Sequence, residues 1–453
     1  MKCSTTNNQT SNSESKGNLK WWQLSLVGVG CTIGTGYFLG SSIGIGLTGP
    51  SIVFSFLLAA IGTYIVFNLL AKMTAKDPQE GSFCYYSGKA FGRWARFSCG
   101  WNYWCSNILI MGSQLIALSI LTQLWLPDVP LWIFAAGYAV LSIFVVFLGT
   151  KSFDKVEDIL AVIKTAAIIM FILLGAAALL GWVSGGPQEK PDFPNTGKEL
   201  FPEGFPGFWA SLIYAFYAFG GIEVIGLMAI RLKKKEEAPK AGSIMLLLLA
   251  VIYILSLGLA VTMVSFHAFD PNESPFVTAL DDYNLSFFPH VFNAAIIIAG
   301  FSTMTAALFG VTTLLVTIAK DGDAPAVFSK KIKFKELPLA ALGLGTAGLL
   351  ASVITALLVP EKIYEYITTA AGILLLYNWS FIILSAFRVL GKEKMISRIV
   401  SIGGLVLLLA AVSGTLVDKS VRPGFFISLL LIVIIGGVTV WMSRRWKKSN
   451  QPG

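Results

Sequence analysis

The sequence predicts an all-α integral membrane protein of about twelve transmembrane helices. Of its 453 residues, 55% are hydrophobic and only 13% are charged, and the mean hydropathy is +0.72. Soluble chains carry about twice that charged fraction. Apolar runs of about 20 residues, long enough to cross a bilayer, recur along the whole chain. These runs must be helical, because backbone polar groups find no water in hydrocarbon.

The apolar runs divide the chain into an N-terminal tail and one transmembrane domain. Residues 1–18 are rich in Ser, Asn, Thr and Gln and predict a short disordered tail, so the transmembrane domain covers residues 19–450. No apolar segment precedes the first run, so no cleavable signal peptide is expected. The predicted spans lie near 24–46, 50–71, 98–121, 131–150, 159–183, 208–230, 242–265, 291–318, 338–358, 363–387, 397–416 and 424–443.

The positive charges predict the orientation of the chain. If both termini are cytoplasmic, 29 of the 34 Lys and Arg residues fall in the cytoplasmic connections and 5 in the outer ones. This asymmetry is what the positive-inside rule requires of an even number of spans. The net charge of +9 therefore reports a multi-pass protein of the cell membrane, and binding to nucleic acid is not needed to explain it.

Glycines interrupt the first span. Four of them fall within residues 28–36, and each weakens a helix by roughly 1 kcal/mol relative to alanine. Two interpretations remain open. Small residues spaced by four, such as Gly30 and Gly34, favour close helix packing. Alternatively the helix is unwound at Ile33–Gly36, where free amide groups at a half-helix N-terminus would bind a carboxylate.

The sixth span carries a second interruption, at Gly220-Gly221, followed at once by Ile222 and Glu223. Transporters built from inverted repeats have discontinuous helices at matching positions of the two halves. If the first repeat holds helices one to five, the second begins at helix six. Two such interruptions, at positions one and six, favour a transporter with its substrate site between them.

Two ionisable residues lie inside predicted spans. Glu223 is a carboxylate deep in a span; it either accepts hydrogen bonds from backbone freed by the interruption or acts as a proton carrier or gating partner. Lys164 lies about one and a half turns into the fifth span. It either snorkels to the headgroups as a boundary lysine or faces inward in the place of a coupling cation, releasing and regaining a proton.

Enzymatic chemistry has no support in the sequence. His267 and His290 flank an outer loop whose acids suggest a solvated surface, and neither metal-ligand spacing nor a Ser/His/Asp arrangement stands out. A P-loop is also missing. We therefore expect no cofactor, only a coupling ion, which is a proton with sodium as the alternative.

The chain resembles the amino acid–polyamine–organocation superfamily, in its bacterial amino-acid permease branch. The motifs that carry this resemblance follow one another along nearly the whole chain. They are Gly30–Gly40 with its Ile33-Gly34-Thr35-Gly36 core, Glu80-Gly81-Ser82-Phe83, Phe91-Gly92, Gly100-Trp101-Asn102-Tyr103-Trp104, Ala218-Phe219-Gly220-Gly221-Ile222-Glu223, Pro239-Lys240-Ala241 and Ala319-Lys320-Asp321-Gly322-Asp323-Ala324-Pro325.

The resemblance implies two inverted five-helix repeats, about 20–185 and 205–390, plus two additional helices at about 395–445. It implies that the substrate lies between the interruptions of helices one and six. The amides of Gly34, Thr35 and Gly36 would bind its carboxylate, and carbonyls near Ile33 and at Ala215, Phe216 and Ala218 its ammonium group. Phe219 would close over the substrate, and Lys164 matches a helix-five lysine that proton-coupled members use in place of sodium.

The chain departs from many relatives at two positions. It has Ile230-Arg231 where they carry a glutamate. In helix eight, relatives often show a run of small residues and Asn with a later arginine, whereas this chain has Ser302, Thr303 and Thr305, hydroxyl residues where sodium-coupled relatives place sodium ligands. The expected function is secondary active, proton-coupled uptake of a neutral or hydrophobic amino acid by alternating access. The alternatives are an amino-acid exchanger or a sodium symporter, then a membrane-embedded amino-acid receptor, and last a channel, for which no ring of charges is visible.

Overall fold

The structure, a computed structural model, describes residues 20–77, 79, 81–148, 150–187, 196–223, 232–331, 337–358, 362–391 and 394–449. The predicted disordered tail and the end of the sixth span, with Ile230 and Arg231, lie outside these residues. The helices are α1 Trp21–Thr32, α2 Thr35–Phe38, α3 Gly40–Thr48, α4 Ile52–Lys76, α5 Ser82–Phe91, α6 Arg93–Gln123, α7 Leu131–Leu148, α8 Thr150–Leu179, α9 Gly197–Leu200, α10 Gly204–Tyr217, α11 Ala238–Met263, α12 Pro275–Thr278, α13 Phe288–Lys320, α14 Leu339–Leu358, α15 Ile363–Val389, α16 Met395–Gly414 and α17 Arg422–Ser449.

The predicted all-α multi-span architecture is confirmed. Within the described ranges, eight helical stretches are long and apolar enough to cross a membrane, and Leu131–Phe147 and Leu339–Thr355 are shorter apolar helices. Each of the twelve predicted spans contains helix. The first span is divided among α1, α2 and α3, and the sixth is α10 with a turn after it. The prediction of interrupted helices at positions one and six is therefore also confirmed.

Two boundaries differ from the sequence prediction for one physical reason. Helical backbone bonds continue into polar sequence, so a helix can begin before its apolar run. The helix of the fifth span begins at Thr150 instead of near residue 159, and residues 82–91, predicted only as part of a connection, form the helix α5. Lys164 consequently lies about four turns into its helix.

Several helix ends meet on one side of the bundle, which we call the basic side. Lys76 Nζ at the end of α4 donates to the Val389 carbonyl at 3.0 Å. Arg388 Nη1, near the end of α15, donates to the Ala90 carbonyl of α5 at 2.9 Å. These contacts join two long helices and the short helix α5 at their ends.

An ion cluster on the basic side joins α6 to the turn after α13. The Asp323 carboxylate, 3% exposed, accepts from Arg93 Nε at 2.8 Å and from Arg96 Nη2 at 2.8 Å. Trp101 Nε1 donates to the Asp323 carbonyl at 3.2 Å. The Arg93 guanidinium also lies 4.4 Å from the ring centroid of Trp446 on α17, a cation–π contact. Three helices are thus held together around one carboxylate.

We expect Asp323→Asn to destabilise the protein. It removes charge-assisted hydrogen bonds, each worth about 1.5–3 kcal/mol, from a nearly buried group. The thermal midpoint in detergent, followed by tryptophan fluorescence, should fall by several degrees. Asp321→Asn is the matched control, because Asp321 is 43% exposed and 3.6 Å from Arg96, where an ion pair contributes little. Equal midpoints for the two variants would contradict the structural role of Asp323.

On the opposite side of the bundle, the connection between α11 and α13 covers the first span. Phe276 on the short helix α12 is fully buried, and its ring centroid lies 5.3 Å from that of Tyr37. Ser42 Oγ donates to the Glu273 carbonyl at 2.6 Å. Burial raises the pKa of the Glu273 carboxyl, and a hydrogen bond from Thr278 partly offsets this. This connection closes the opposite side above α2.

Candidate functional site

The first span is interrupted at Ile33 and Gly34. Ile33 has φ −68° and ψ 114°, and Gly34 has φ −151° and ψ −169°, so both are extended. The regular bonds of α1 end with the Ile33 amide on the Val29 carbonyl at 3.1 Å, and they resume with the Tyr37 amide on the Gly34 carbonyl at 3.0 Å. The predicted unwound segment, Ile33–Gly36, is therefore shorter than expected, because Thr35 and Gly36 already belong to α2.

The interruption leaves backbone groups free for a ligand. Within the described part of the chain, the amides of Gly34, Thr35 and Gly36 donate no backbone hydrogen bond, and the Ile33 carbonyl accepts none. The first amides of a helix lack partners for geometric reasons. The Thr35 hydroxyl is also fully buried and has no partner among these residues.

The sixth span is interrupted directly after α10, which ends at Tyr217. Gly221 has φ +104°, a conformation that side chains rarely adopt. The Phe219 amide donates to the Phe216 carbonyl at 3.0 Å, which tightens the end of the helix. As a result, the Ala215 carbonyl finds no donor within the described residues. Helix resumes at Ile222.

The two interruptions are in contact. A Cβ atom built on Gly36 would lie 2.5 Å from Cε1 of Tyr217, so only glycine allows this approach. Tyr217 is fixed in turn by a hydrogen bond of 2.7 Å between its hydroxyl and Ser113 Oγ on α6. Tyr364 on α15 donates its hydroxyl to the Thr35 carbonyl at 3.2 Å. All four predicted residues of the first span are buried, as are Ala215, Phe216, Ala218 and Phe219 of the sixth.

Lys164 on α8 reaches the C-terminal end of α1. Its side chain is fully buried, and Nζ donates to the Gly30 carbonyl at 2.7 Å. In a continuous helix this carbonyl would accept from the Gly34 amide, which the interruption has moved away. A cation at a helix C-terminus is favourable because of the helix dipole. The snorkelling interpretation of Lys164 therefore does not hold.

Glu223 stands at the start of the resumed sixth helix, and it is 3% exposed. Its Oε1 accepts from the Tyr103 hydroxyl at 3.1 Å, and its Oε2 from Trp379 Nε1 at 3.3 Å and from the Gly221 amide at 3.3 Å. The carboxylate thus caps the freed backbone of the turn, as its structural interpretation predicts, and joins α6 and α15 to it. Lys164 and Glu223 each stabilise one of the two interruptions.

Aromatic rings cover the turn of the sixth span. The Phe219 ring is fully buried, and its centroid lies 5.2 Å from that of Tyr253. Tyr253 stacks on Tyr37 with a centroid separation of 3.8 Å. The Tyr253 hydroxyl donates to the Ala218 carbonyl at 3.0 Å, so one lone pair of a predicted ammonium ligand is already used. The Ala215 carbonyl, by contrast, has no donor within the described residues.

Sequence reasoning did not single out the tyrosines that surround the interruptions. Tyr217 and Tyr253 lie in apolar runs, and Tyr364 lies at the start of one, so hydropathy alone gives no signal for them. A tyrosine hydroxyl in hydrocarbon needs a partner. That requirement is a signal that could have identified them as contacts between spans.

The sequence model of one protein family, described as "Amino acid permease", matches residues 23–451. The chain belongs to this family. It is 54% identical over 444 residues to the uncharacterized transporter YcgH of Bacillus subtilis (strain 168), with 98% of this chain and 99% of the relative covered. It is 27% identical over 437 residues to the aromatic amino acid transport protein AroP of Escherichia coli (strain K12), with 92% and 93% covered.

A further relative is the uncharacterized amino acid permease YvbW of Bacillus subtilis (strain 168), 31% identical over 363 residues, with 79% of this chain and 80% of the relative covered. The resemblance to bacterial amino-acid permeases is therefore confirmed. The chain is a multi-pass protein of the cell membrane, and its family and relatives are those of a transporter.

Proposed function

We propose that this permease is a secondary active transporter that takes up a neutral or hydrophobic amino acid together with protons. The observation that carries the proposal is the contact between the two interrupted spans. The free amides of Gly34–Gly36 can donate hydrogen bonds to the carboxylate of an α-amino acid. The free carbonyls of Ile33 and Ala215 can accept hydrogen bonds from its ammonium group.

The surroundings of the site favour a substrate without net charge. Within the described residues around the interruptions, the buried lysine and carboxylate side chains are Lys164 and Glu223, and both are bonded to protein backbone. A side chain with its own charge would lack a counter-ion. The rings of Phe219, Tyr37 and Tyr253 suit a neutral side chain with a large apolar part, and the relative AroP is an aromatic amino acid transport protein.

Proton coupling rests on Lys164. Its ammonium group binds the Gly30 carbonyl at the C-terminal end of α1. In a sodium-coupled transporter, a sodium ion could occupy the place of this ammonium group. Lys164 is the proposed carrier of the coupled proton, which it would release and regain as access alternates. The hydroxyls of Thr303 and Thr305 on α13 donate to carbonyls of their own helix, and their oxygens keep lone pairs, so sodium remains the alternative coupling ion.

The proposed orientation places both termini in the cytoplasm, because the 29 cations then obey the positive-inside rule. The basic side with Asp323 is then cytoplasmic, and the connection that carries Phe276 is external. The partners in this proposal are the amino acid and the lipid bilayer, without nucleic acid. A proton is the coupling ion, and no cofactor takes part.

The proposal is tested by uptake of a panel of radiolabelled amino acids into proteoliposomes, with and without an inward proton gradient and without sodium. We expect gradient-stimulated accumulation of one or a few neutral amino acids. Accumulation only in vesicles preloaded with an amino acid would indicate an exchanger, and dependence on added sodium a sodium symporter. Binding without counterflow would favour the receptor alternative, and binding of no amino acid by the folded protein would overturn the proposal.

A further inference from the structure

A buried amide oxygen lies in the middle of the membrane domain without a partner. Gln114 on α6 is 7% exposed, and its Oε1 has no hydrogen-bond donor within the described residues. A carboxamide in an apolar interior normally finds partners, because an unsatisfied polar group there costs free energy. An acceptor of this kind is available to a ligand.

The geometry of α6 fixes the direction in which Gln114 projects. Tyr103 and Gln114 are 11 residues apart on one continuous helix, about three turns, so they lie on the same face. The Tyr103 hydroxyl reaches Glu223 of the sixth span at 3.1 Å. About two turns beyond Gln114, the Leu121 carbonyl accepts from Asn293 Nδ2 on α13 at 2.7 Å. This face of α6 is therefore turned toward the sixth span and α13.

Gln114 also lies at the depth of the interruptions. Its neighbour Ser113 bonds to the hydroxyl of Tyr217 at 2.7 Å, and Tyr217 is the last residue of α10 and packs against Gly36. One turn after Gln114, on the same side of α6, Leu118 comes close to the first span.

Leu118 and the first span both pack against Gly300 on α13. A Cβ atom built on Gly300 would lie 2.8 Å from Leu118 Cδ2 and 2.5 Å from Thr35 Cγ2. Leu118 and Thr35 therefore meet at one point of α13. Gln114 stands between this point and the contact with Tyr217, on the face of α6 nearest to both interruptions.

We propose that Gln114 Oε1 accepts a hydrogen bond from the side chain of the transported amino acid, and so selects neutral substrates that carry an N–H or O–H group. This inference rests on the proposed function and specifies the substrate class of the same site. The substrate carboxylate is matched by the free amides of Gly34, Thr35 and Gly36, and the ammonium group by the carbonyls of Ile33 and Ala215. The donor left for Gln114 is one on the side chain.

The test compares amino acids that differ by one donor. Gradient-driven uptake into proteoliposomes is measured for threonine and valine, serine and alanine, and tyrosine and phenylalanine. For at least one pair we expect wild-type kcat/KM to favour the donor-bearing member about tenfold or more, since a site built for a hydroxyl rejects the analogue without it. Gln114→Leu and Gln114→Met should bring this ratio close to one.

Gln123→Leu is the matched control. Gln123 lies on the same helix but donates to the Val129 carbonyl at 3.0 Å, at the other end from the cluster around Asp323, and the pair ratio should not change. If neither apolar variant of Gln114 folds, Gln114→Asn is measured instead. Its side chain is shorter by one methylene, so the amide no longer reaches the substrate, and the kcat/KM ratio within a pair should fall.

The outcomes separate this inference from the proposed function. Wild-type protein that takes up none of the amino acids overturns the function itself. Wild-type protein that transports amino acids but shows no preference in any pair overturns only the role of Gln114. So does a foldable variant at position 114 that lowers both members of a pair by the same factor, because that result indicates packing or binding of the ammonium group.

Discussion

Lys164→Met is expected to abolish amino-acid accumulation driven by a proton gradient, with initial rates at least about tenfold lower than wild type. Methionine fills a similar volume but carries no proton and cannot donate to the Gly30 carbonyl, now bonded at 2.7 Å. A buried backbone acceptor would then lack its partner, which costs about 1–3 kcal/mol. The broken end of α1 would also lose the cation that offsets its dipole.

Lys164→Arg separates the two contributions of this lysine. Arginine keeps the positive charge but does not release a proton in proteins, so it should retain part of the amino-acid binding and lose proton-driven accumulation. Lys320→Met, at the exposed end of α13, is the control and should transport normally. Rates are measured in proteoliposomes with an imposed gradient. Undiminished proton-driven uptake by Lys164→Met would refute the coupling role.

The interruptions of the first and sixth spans were predictable because glycine in an apolar run has a direct physical cost. The sequence pattern at Ile33–Gly36 and at Gly220-Gly221 therefore indicated discontinuous helices. For Glu223, contact with freed backbone was one of the two interpretations that the sequence left open, since a carboxylate in hydrocarbon needs donors. The weakening of a helix by glycine and the need of a buried carboxylate for donors depend on neighbouring residues only, so they can be inferred from a short stretch of sequence.

The depth of Lys164 was not predictable in the same way. Hydropathy locates where a helix enters hydrocarbon, and the helix that begins at Thr150 runs through polar sequence first. The partners of Lys164 and Glu223 were also beyond reach, because Gly30 is 134 residues from Lys164 and Trp379 is 156 residues from Glu223. Such contacts follow from how the helices pack, which hydropathy does not encode.

The same limit applies to the tyrosines of the site. Hydropathy did not separate Tyr253 from the leucines around it, yet its hydroxyl donates to the Ala218 carbonyl and its ring packs against Phe219. The motifs that resemble the permease family pointed to the backbone groups of the proposed site. They did not locate the side chains that decide which of these groups remain free.

The second large effect is expected for Gly36→Ala, which should weaken amino-acid binding at least about tenfold, equivalent to 1.4 kcal/mol. The new methyl group would lie 2.5 Å from Cε1 and 2.7 Å from Cδ1 of Tyr217. Tyr217 cannot turn aside without losing its 2.7 Å bond to Ser113. The two interruptions must therefore separate, which moves the free amides of the first span away from the Ala215 carbonyl.

Gly46→Ala is the matched control, because a Cβ atom there has no neighbouring atom within 4 Å and alanine favours helix over glycine. Binding to purified protein in detergent is measured with the radiolabelled amino acid that the wild type accumulates, and thermal midpoints are recorded alongside. Gly46→Ala should bind normally, whereas Gly36→Ala should remain folded and bind weakly. If Gly36→Ala binds as tightly as wild type, the ligand does not depend on the close approach of the two interrupted spans, and the substrate must lie elsewhere in the bundle.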